Sequence, residues 1–85
     1  MKTKRIVLGI HITNRVQHAG AVQKLFTDYG CYIKTRLGLH DADEKTCSPN
    51  GLILLEMAGD PKKALELAAR LAKVKGVQIK KMIFD

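Results

Sequence analysis

The sequence predicts an α+β domain made of two β-α-β halves in tandem, and three features support this. Residues 4–13 alternate between apolar and polar side chains, which is typical of a strand with one buried face. Asp60 and Pro61 combine a capping acid with a proline suited to the first turn of a helix. The stretch around Gly30, where a helical pattern gives way to an Ile-Lys strand, recurs around Gly76. With right-handed crossovers, the order β-α-β-β-α-β predicts a ferredoxin-like sandwich, in which an antiparallel sheet of order 4-1-3-2 carries both helices on one face.

The first half contains strand one, helix one and strand two. Strand one buries the face formed by Ile6, Leu8, Ile10 and Ile12. Helix one is predicted over residues 15–29 because its apolar residues recur every three or four positions, namely Val16, Ala19, Val22, Leu25, Phe26 and Tyr29. Gly20 within it predicts a close approach to the sheet or to a ligand. Gly30 is expected to end the helix in the left-handed conformation, and strand two then covers residues 31–39.

The second half begins with a polar run over residues 41–50. This run predicts an exposed, mobile loop rather than regular structure, without a fixed metal. Residues 51–57 are apolar on both sides apart from Glu56, which indicates an interior strand three. Helix two follows Asp60 with a buried stripe of Ala64, Leu67, Ala68, Leu71 and Val74. Gly76 ends this helix, and strand four is predicted over residues 77–84.

Length and composition predict a single domain over residues 1–85. Of the 85 residues, 46% are hydrophobic and 27% charged, as in ordinary globular proteins. A chain this short buries a modest core, so oligomerisation is expected to stabilise it. Cys31 and Cys47 do not form a disulfide framework, and the charged first strand is not a signal peptide, so we expect a cytoplasmic protein with reduced thiols. No apolar segment approaches the roughly 20 residues of a membrane-spanning helix, so no membrane role is expected.

Two helices on one face of the sheet leave its other face uncovered. The residues assigned to that face are more apolar than solvent-exposed positions usually are, and they are Val7, His11, Tyr32, Arg36, Leu52, Leu54, Met82 and Phe84. A second copy of the chain would cover them. We therefore predict a homodimer or a dimer of dimers, built through this face or by pairing of edge strands.

Catalytic motifs are absent from the sequence. It contains no nucleophile elbow, phosphate-binding loop, dinucleotide fingerprint or paired carboxylates, so we expect neither enzymatic activity nor a cofactor. A metal site is an alternative, because His40 and Cys47 lie at the two ends of a short segment and His11 could complete the set. No closely spaced pair of cysteines or histidines supports that alternative.

The positive charge raises the question of nucleic-acid binding. The net charge is +7, yet the fifteen lysines and arginines are scattered, which favours a solubilising surface over a binding patch. RNA-binding sandwiches stack bases on aromatic residues of their central strands, and strands one and three offer none. Direct nucleic-acid binding therefore stays open without support from a motif.

Several segments resemble a known family. They are IVLGIHITNR at 6–15, DYG at 28–30, IKTRLGLHD at 33–41, GLILLEMAGD at 51–60 and LAKVKGVQIKKM at 71–82. Together they resemble the iron-only hydrogenase system regulators, a family regarded as transcriptional regulators. The resemblance implies a ferredoxin-like fold similar to ACT domains and to the C-terminal domain of the nickel-responsive repressor, used for oligomerisation and effector sensing. That repressor's histidine ligand set does not match here, and we expect no separate DNA-binding segment, so transcriptional control would pass through a partner.

The similarity to ACT domains also implies an effector site at the turn after strand one. The residues concerned are Thr13, Asn14, Arg15 and the backbone around Gly20. Amides at the start of a helix suit a carboxylate or phosphate, so a small effector such as an amino acid is expected there. The alternative is that Asn14 is only a helix cap.

Overall fold

The computed structural model describes residues 4–13, 15–42 and 47–85, and for residues 15–19, 39–42 and 47–50 it describes the backbone alone. The elements are β1 (Arg5–Ile12), α1 (Arg15–Asp28), a 3₁₀ turn (Gly30–Tyr32), β2 (Ile33–Ala42), β3 (Cys47–Met57), α2 (Pro61–Ala72) and β4 (Val77–Phe84). The antiparallel sheet has the order β2-β3-β1-β4, which is the predicted order read from the other edge. The predicted ferredoxin-like fold is confirmed.

The core lies between the two helices and one face of the sheet. Every second residue of β1 is at most 3% exposed, as its alternating pattern predicts, and these residues are Ile6, Leu8, Ile10 and Ile12. Helix α1 packs against them with Val22 and Phe26, Tyr29 does so directly after the helix, and α2 contributes Ala64, Leu67, Ala68 and Leu71. The side chains of Val16 and Ala19 lie outside the described residues. In the described ranges, no helix is long and apolar enough to cross a membrane.

The start of α2 follows the local sequence signals, but the helix ends at Ala72, so Val74 and Gly76 lie in the turn that follows it and the prediction that Gly76 ends the helix is wrong. The Asp60 Oδ1 atom accepts a hydrogen bond from the backbone N–H of Lys62 at 2.9 Å, and Pro61 occupies the first helical position. Gly76 has a φ of 84°, in the left-handed region that favours glycine. The carbonyl of Gly76 accepts hydrogen bonds from both the backbone N–H and the hydroxyl of Thr13, at 2.8 and 3.0 Å. These bonds join the turn after α2 to the end of β1.

Gly30 and Gly20 differ from their predictions. Among the described residues the glycines with positive φ are Gly59 and Gly76, so Gly30 is not a left-handed cap. The chain leaves α1 through a tighter turn, in which the backbone N–H of Tyr32 donates to the carbonyl of Tyr29 at 2.9 Å. A Cβ atom added at Gly20 would meet no described atom within 4 Å outside the adjoining residues of its own helix, so the predicted close approach of α1 to the sheet is wrong, and the alternative approach to a ligand stays a prediction.

The described residues of the predicted loop over 41–50 are β-structure, with a register shift beyond His40. Strands β2 and β3 extend toward each other until Ala42 pairs with Cys47, while residues 43–46 lie outside the described residues. For residues 41–42 and 47–50 the prediction of an irregular segment is wrong, because it relied on side-chain polarity. Antiparallel pairing satisfies the backbone N–H and C=O groups whatever the side chains are, so polar residues continue the hairpin.

Candidate functional site: the open sheet face and an adjoining cleft

The sheet face opposite the helices is the first candidate site, and we call it the open face. Residues directly opposite each other in antiparallel strands share a face. On β1, Val7 pairs with Glu56 on one neighbouring strand and with Met82 on the other. Gly9 and His11 pair with residues of the same two strands in the same way. The open face consists of Arg5, Val7, Gly9 and His11 on β1, Leu52, Leu54 and Glu56 on β3, and Gln78, Lys80, Met82 and Phe84 on β4.

Strand β2 joins the open face through a β-bulge. Ile33 pairs with Met57 and Thr35 with Glu56, so Lys34 has no partner in the ladder. Such an extra residue reverses which side chains of the strand face each side of the sheet. Beyond the bulge, Leu37 pairs with Leu54 on the open face. The sequence pattern did not reveal Leu37 as a member of this face because alternation alone carries no sign of the bulge.

The same bulge corrects the prediction for Arg36, which lies on the helix side of the sheet. Arg36 pairs with the buried Leu55. Its Nη1 atom donates to Oε1 of Gln23 at 3.4 Å, and its guanidinium carbon lies 4.8 Å from the centre of the Phe26 ring. A cation over an aromatic face is favourable, so Arg36 shields the edge of the core there.

Tyr32 also lies outside the open face, contrary to the prediction. It belongs to the 3₁₀ turn that precedes β2, and its side chain is half-buried against the core. Its Cδ1 atom lies 3.4 Å from the position that a Cβ atom of Gly59 would occupy. Tyr32 therefore packs on the turn between β3 and α2.

The open face is apolar at its centre and exposed to solvent. Leu37, Met82 and Phe84 are 50%, 51% and 54% exposed, while Val7 and Leu54 between them are half-buried. At one end, Arg5 Nε lies 3.2 Å from Oε2 of Glu56. An apolar centre with charges at its end and, through Lys80, at the β4 edge is the composition expected of a surface that another molecule covers.

A cleft of about 650 Å³ adjoins the open face where β1 begins and β3 and β4 end. Lys4, Arg5 and Lys34 provide three cations, and Glu56 and Asp85 provide two carboxylates. Lys4 Nζ lies 3.8 Å from Oδ1 of Asp85. The remaining lining residues are Met57, Ala58, Gly59 and Phe84. Volumes of roughly 300–1,000 Å³ are typical of small-molecule sites.

Of the residues predicted for an effector site, Thr13 and Gly20 lie fully in the described part of the chain, and they do not line this cleft. Thr13 lies at the opposite end of β1, where its hydroxyl donates to Gly76. Asn14 and the side chain of Arg15 lie outside the described residues, and Gly20 is exposed. An effector at this turn stays a prediction.

The alternative metal set of His11, His40 and Cys47 also stays a prediction. His11 pairs with Leu52, while the backbones of His40 and Cys47 pair with Gly51 and Ala42. The side chains of His40 and Cys47 are outside the described part of the chain. Within that part, no three His, Cys, Asp or Glu residues are grouped to hold a metal ion.

One titratable group of the core has a shifted pKa. Burial raises the pKa of Tyr29 above its usual 10.0, and a hydrogen bond to the Glu66 side chain raises it further. The guanidinium of Arg70, 5.7 Å from the centre of the Tyr29 ring, acts in the opposite direction. This cluster lies on the helix side of the molecule and holds α1 against α2.

Comparison with solved structures gives the class of fold to which the chain belongs, the ferredoxin-like fold that PII-like proteins share. An uncharacterized protein from Thermotoga maritima is similar at a TM-score of 0.81 and 21% identity, covering 98% of this chain and 100% of that one. A nitrogen regulatory PII-like protein from Thiomonas intermedia, bound to ADP, AMP and bicarbonate, is similar at a TM-score of 0.57 and 12% identity, covering 98% and 94%. A dimeric ferredoxin-like protein from an uncultured marine organism has a TM-score of 0.51 and 11% identity, covering 98% and 94%. No protein-family model and no curated protein matches the chain.

Proposed function

We propose that this protein is a homo-oligomeric regulatory domain without enzymatic activity, in which a second copy of the chain covers the open face. The observation that carries the proposal is the exposed apolar centre of that face, formed by Leu37, Leu54 and Met82 with their neighbours. A chain of 85 residues has a small core of its own, so covering this surface contributes substantially to its stability.

The size of the open face suits a second copy. Strands spaced about 4.8 Å apart, with eight residues rising about 3.4 Å each, give four strands a flat area of roughly 500 Å². Side-chain relief makes the accessible surface larger than this flat area. Each partner in a small specific interface contributes about 600–1,000 Å². One further copy is therefore sufficient to cover the face.

The net charge predicts how salt affects this assembly. Two copies that each carry +7 repel one another, and salt screens this repulsion. Assembly through an apolar face is therefore expected to tighten as salt is raised. Nucleic-acid binding by the same charges would weaken under the same change, so the direction of the salt effect separates the two functions.

Light scattering after gel filtration tests the proposed assembly. The wild-type protein is expected at a multiple of its 9.4 kDa chain mass at micromolar concentration. Leu54→Lys removes a leucine from the interface and introduces a charge, and the lost burial alone weakens dimerisation by at least about tenfold. The matched control is Leu65→Lys, since Leu65 is a 40% exposed leucine on α2, away from the open face.

A wild-type particle of single-chain mass at all salt concentrations would contradict the proposal. Equal dissociation by Leu54→Lys and Leu65→Lys would also contradict it, because the effect would then not depend on the open face. Circular dichroism of both variants checks that each retains the α+β fold.

The regulatory part of the proposal is supported by two likenesses. The segments quoted above resemble the iron-only hydrogenase system regulators, and the fold is similar to that of a nitrogen regulatory PII-like protein bound to nucleotides. We propose that any effect on transcription passes through a protein partner. Among the described side chains, the open face of the central strands β1 and β3 carries no Phe, Tyr or Trp for stacking bases. Tight, salt-resistant binding of a single-stranded RNA or a DNA duplex would contradict this.

A further inference from the structure

We infer that the cleft beside the open face binds a small organic anion in which a phosphate or carboxylate is attached to an aromatic or apolar group. The inference names an effector class for the proposed regulatory domain. The cleft shares Arg5, Glu56 and Phe84 with the open face, so it lies at the edge of the proposed interface, and its ligand is tested separately from assembly below. Three features of the cleft support it: the bulge at Lys34, the orientation of Arg5 and the apolar wall.

The bulge in β2 directs a cation to the cleft. Lys34 is the unpaired residue between Ile33 and Thr35, and it lines the cleft rather than continuing the ladder. β-Bulges are common beside binding sites because they re-aim one side chain without breaking the sheet. Lys34 forms no ion pair with another described residue, so its ammonium group is available to an anion.

Glu56 orients a second cation, the guanidinium of Arg5, and leaves most of the N–H donors of Arg5 free. Arg5 bonds the carboxylate through Nε at 3.2 Å, and the hydroxyl of Thr35 donates to the other carboxylate oxygen at 3.5 Å. A guanidinium has five N–H donors, and those on its two terminal nitrogens remain for a ligand. The contact of Lys4 with Asp85 is long, and half of the Lys4 side chain is exposed. Exposed pairs of this kind contribute little, so Lys4 can turn to a bound anion.

The remaining wall of the cleft is apolar and open. Phe84 is 54% exposed and presents an aromatic ring, and the buried Met57, on the helix side of β3, also lines the cleft. Gly59 adds no side chain to the cleft. Aromatic rings and guanidinium groups both stack on flat ligands. An anion that also carries an aromatic ring can therefore contact both the cationic side and the apolar side of the cleft. A nucleoside monophosphate has such a phosphate and such a ring.

Calorimetric titration with AMP, adenosine and ribose 5-phosphate tests this inference. AMP is expected to bind more tightly than either of the others, since adenosine lacks the phosphate and ribose 5-phosphate lacks the ring. Lys34→Glu is expected to weaken AMP binding about 10- to 100-fold, the worth of one charged hydrogen bond. Phe84→Ala should weaken AMP binding and leave ribose 5-phosphate unchanged.

The matched control is Lys75→Glu, which makes the same change in net charge at the exposed turn between α2 and β4, at the other end of the sheet. This variant should bind AMP within about threefold of wild type, because charges separated by more than about 10 Å are largely screened in 0.1 M salt. Leu54→Lys should also retain AMP binding, which separates this inference from the proposed assembly. No heat of binding with millimolar AMP, or equal weakening by Lys34→Glu and Lys75→Glu, would overturn it.

Discussion

Replacing Gly59 by alanine is expected to destabilise the protein through its backbone. Gly59 has a φ of 79° in the turn between β3 and α2. A residue with a Cβ atom pays about 1–2 kcal/mol for this left-handed conformation. The added Cβ would lie 3.4 Å from Cδ1 of Tyr32, an ordinary contact that adds little to this cost. In a domain of 60–100 residues, each kcal/mol lowers the Tm by about 4–8 °C.

Gly20→Ala is the matched control and should raise the stability of the protein instead of lowering it. Gly20 lies within α1, and its Cβ would meet no atom within 4 Å. Alanine is favoured over glycine inside a helix by about 0.5–1 kcal/mol. Thermal unfolding followed by circular dichroism at one fixed protein concentration measures both changes, since the Tm of an oligomer depends on concentration. A Gly59→Ala variant as stable as wild type would refute the argument, and so would a Gly20→Ala variant that loses stability.

Three further substitutions test the core, the helix cap and the shifted tyrosine. Leu8→Ala removes a fully buried side chain from β1 and should cost about 2–5 kcal/mol in denaturant unfolding. Asp60→Ala removes the acceptor for the backbone N–H of Lys62 and should cost about 1 kcal/mol, with Asp60→Asn largely restoring it. In Tyr32→Phe, Tyr29 is the remaining tyrosine, and its absorbance titration should have a midpoint above 10.0. Because the folded pKa of Tyr29 is the higher one, its contribution to stability is complete below pH 10 and is lost as the pH rises through the folded pKa.

Features that depend on near neighbours in the chain could be predicted from the amino-acid sequence alone. The alternation of β1 fixed its buried face, because successive side chains of a strand point to opposite sides. Asp60 and Pro61 fixed the start of α2, because capping needs only the residue and the free amides of the next turn. The order of elements then restricted the topology to the observed sheet, since right-handed connections leave few arrangements.

Features that depend on strand register could not be predicted from the sequence, because register is set by contacts between distant segments. The bulge at Lys34 arises from the register in which β2 pairs with β3. Because of this bulge, Arg36 lies on the helix side and Leu37 on the open face. Strand pairing likewise drew most of the polar segment 41–50 into a hairpin, because a partner strand satisfies the backbone whatever the side chains are. The cleft is lined by Lys4, Lys34 and Asp85, which lie far apart in the sequence. No local sequence pattern predicts such a site. The antiparallel arrangement of the sheet brings the beginning of β1 beside the ends of β3 and β4.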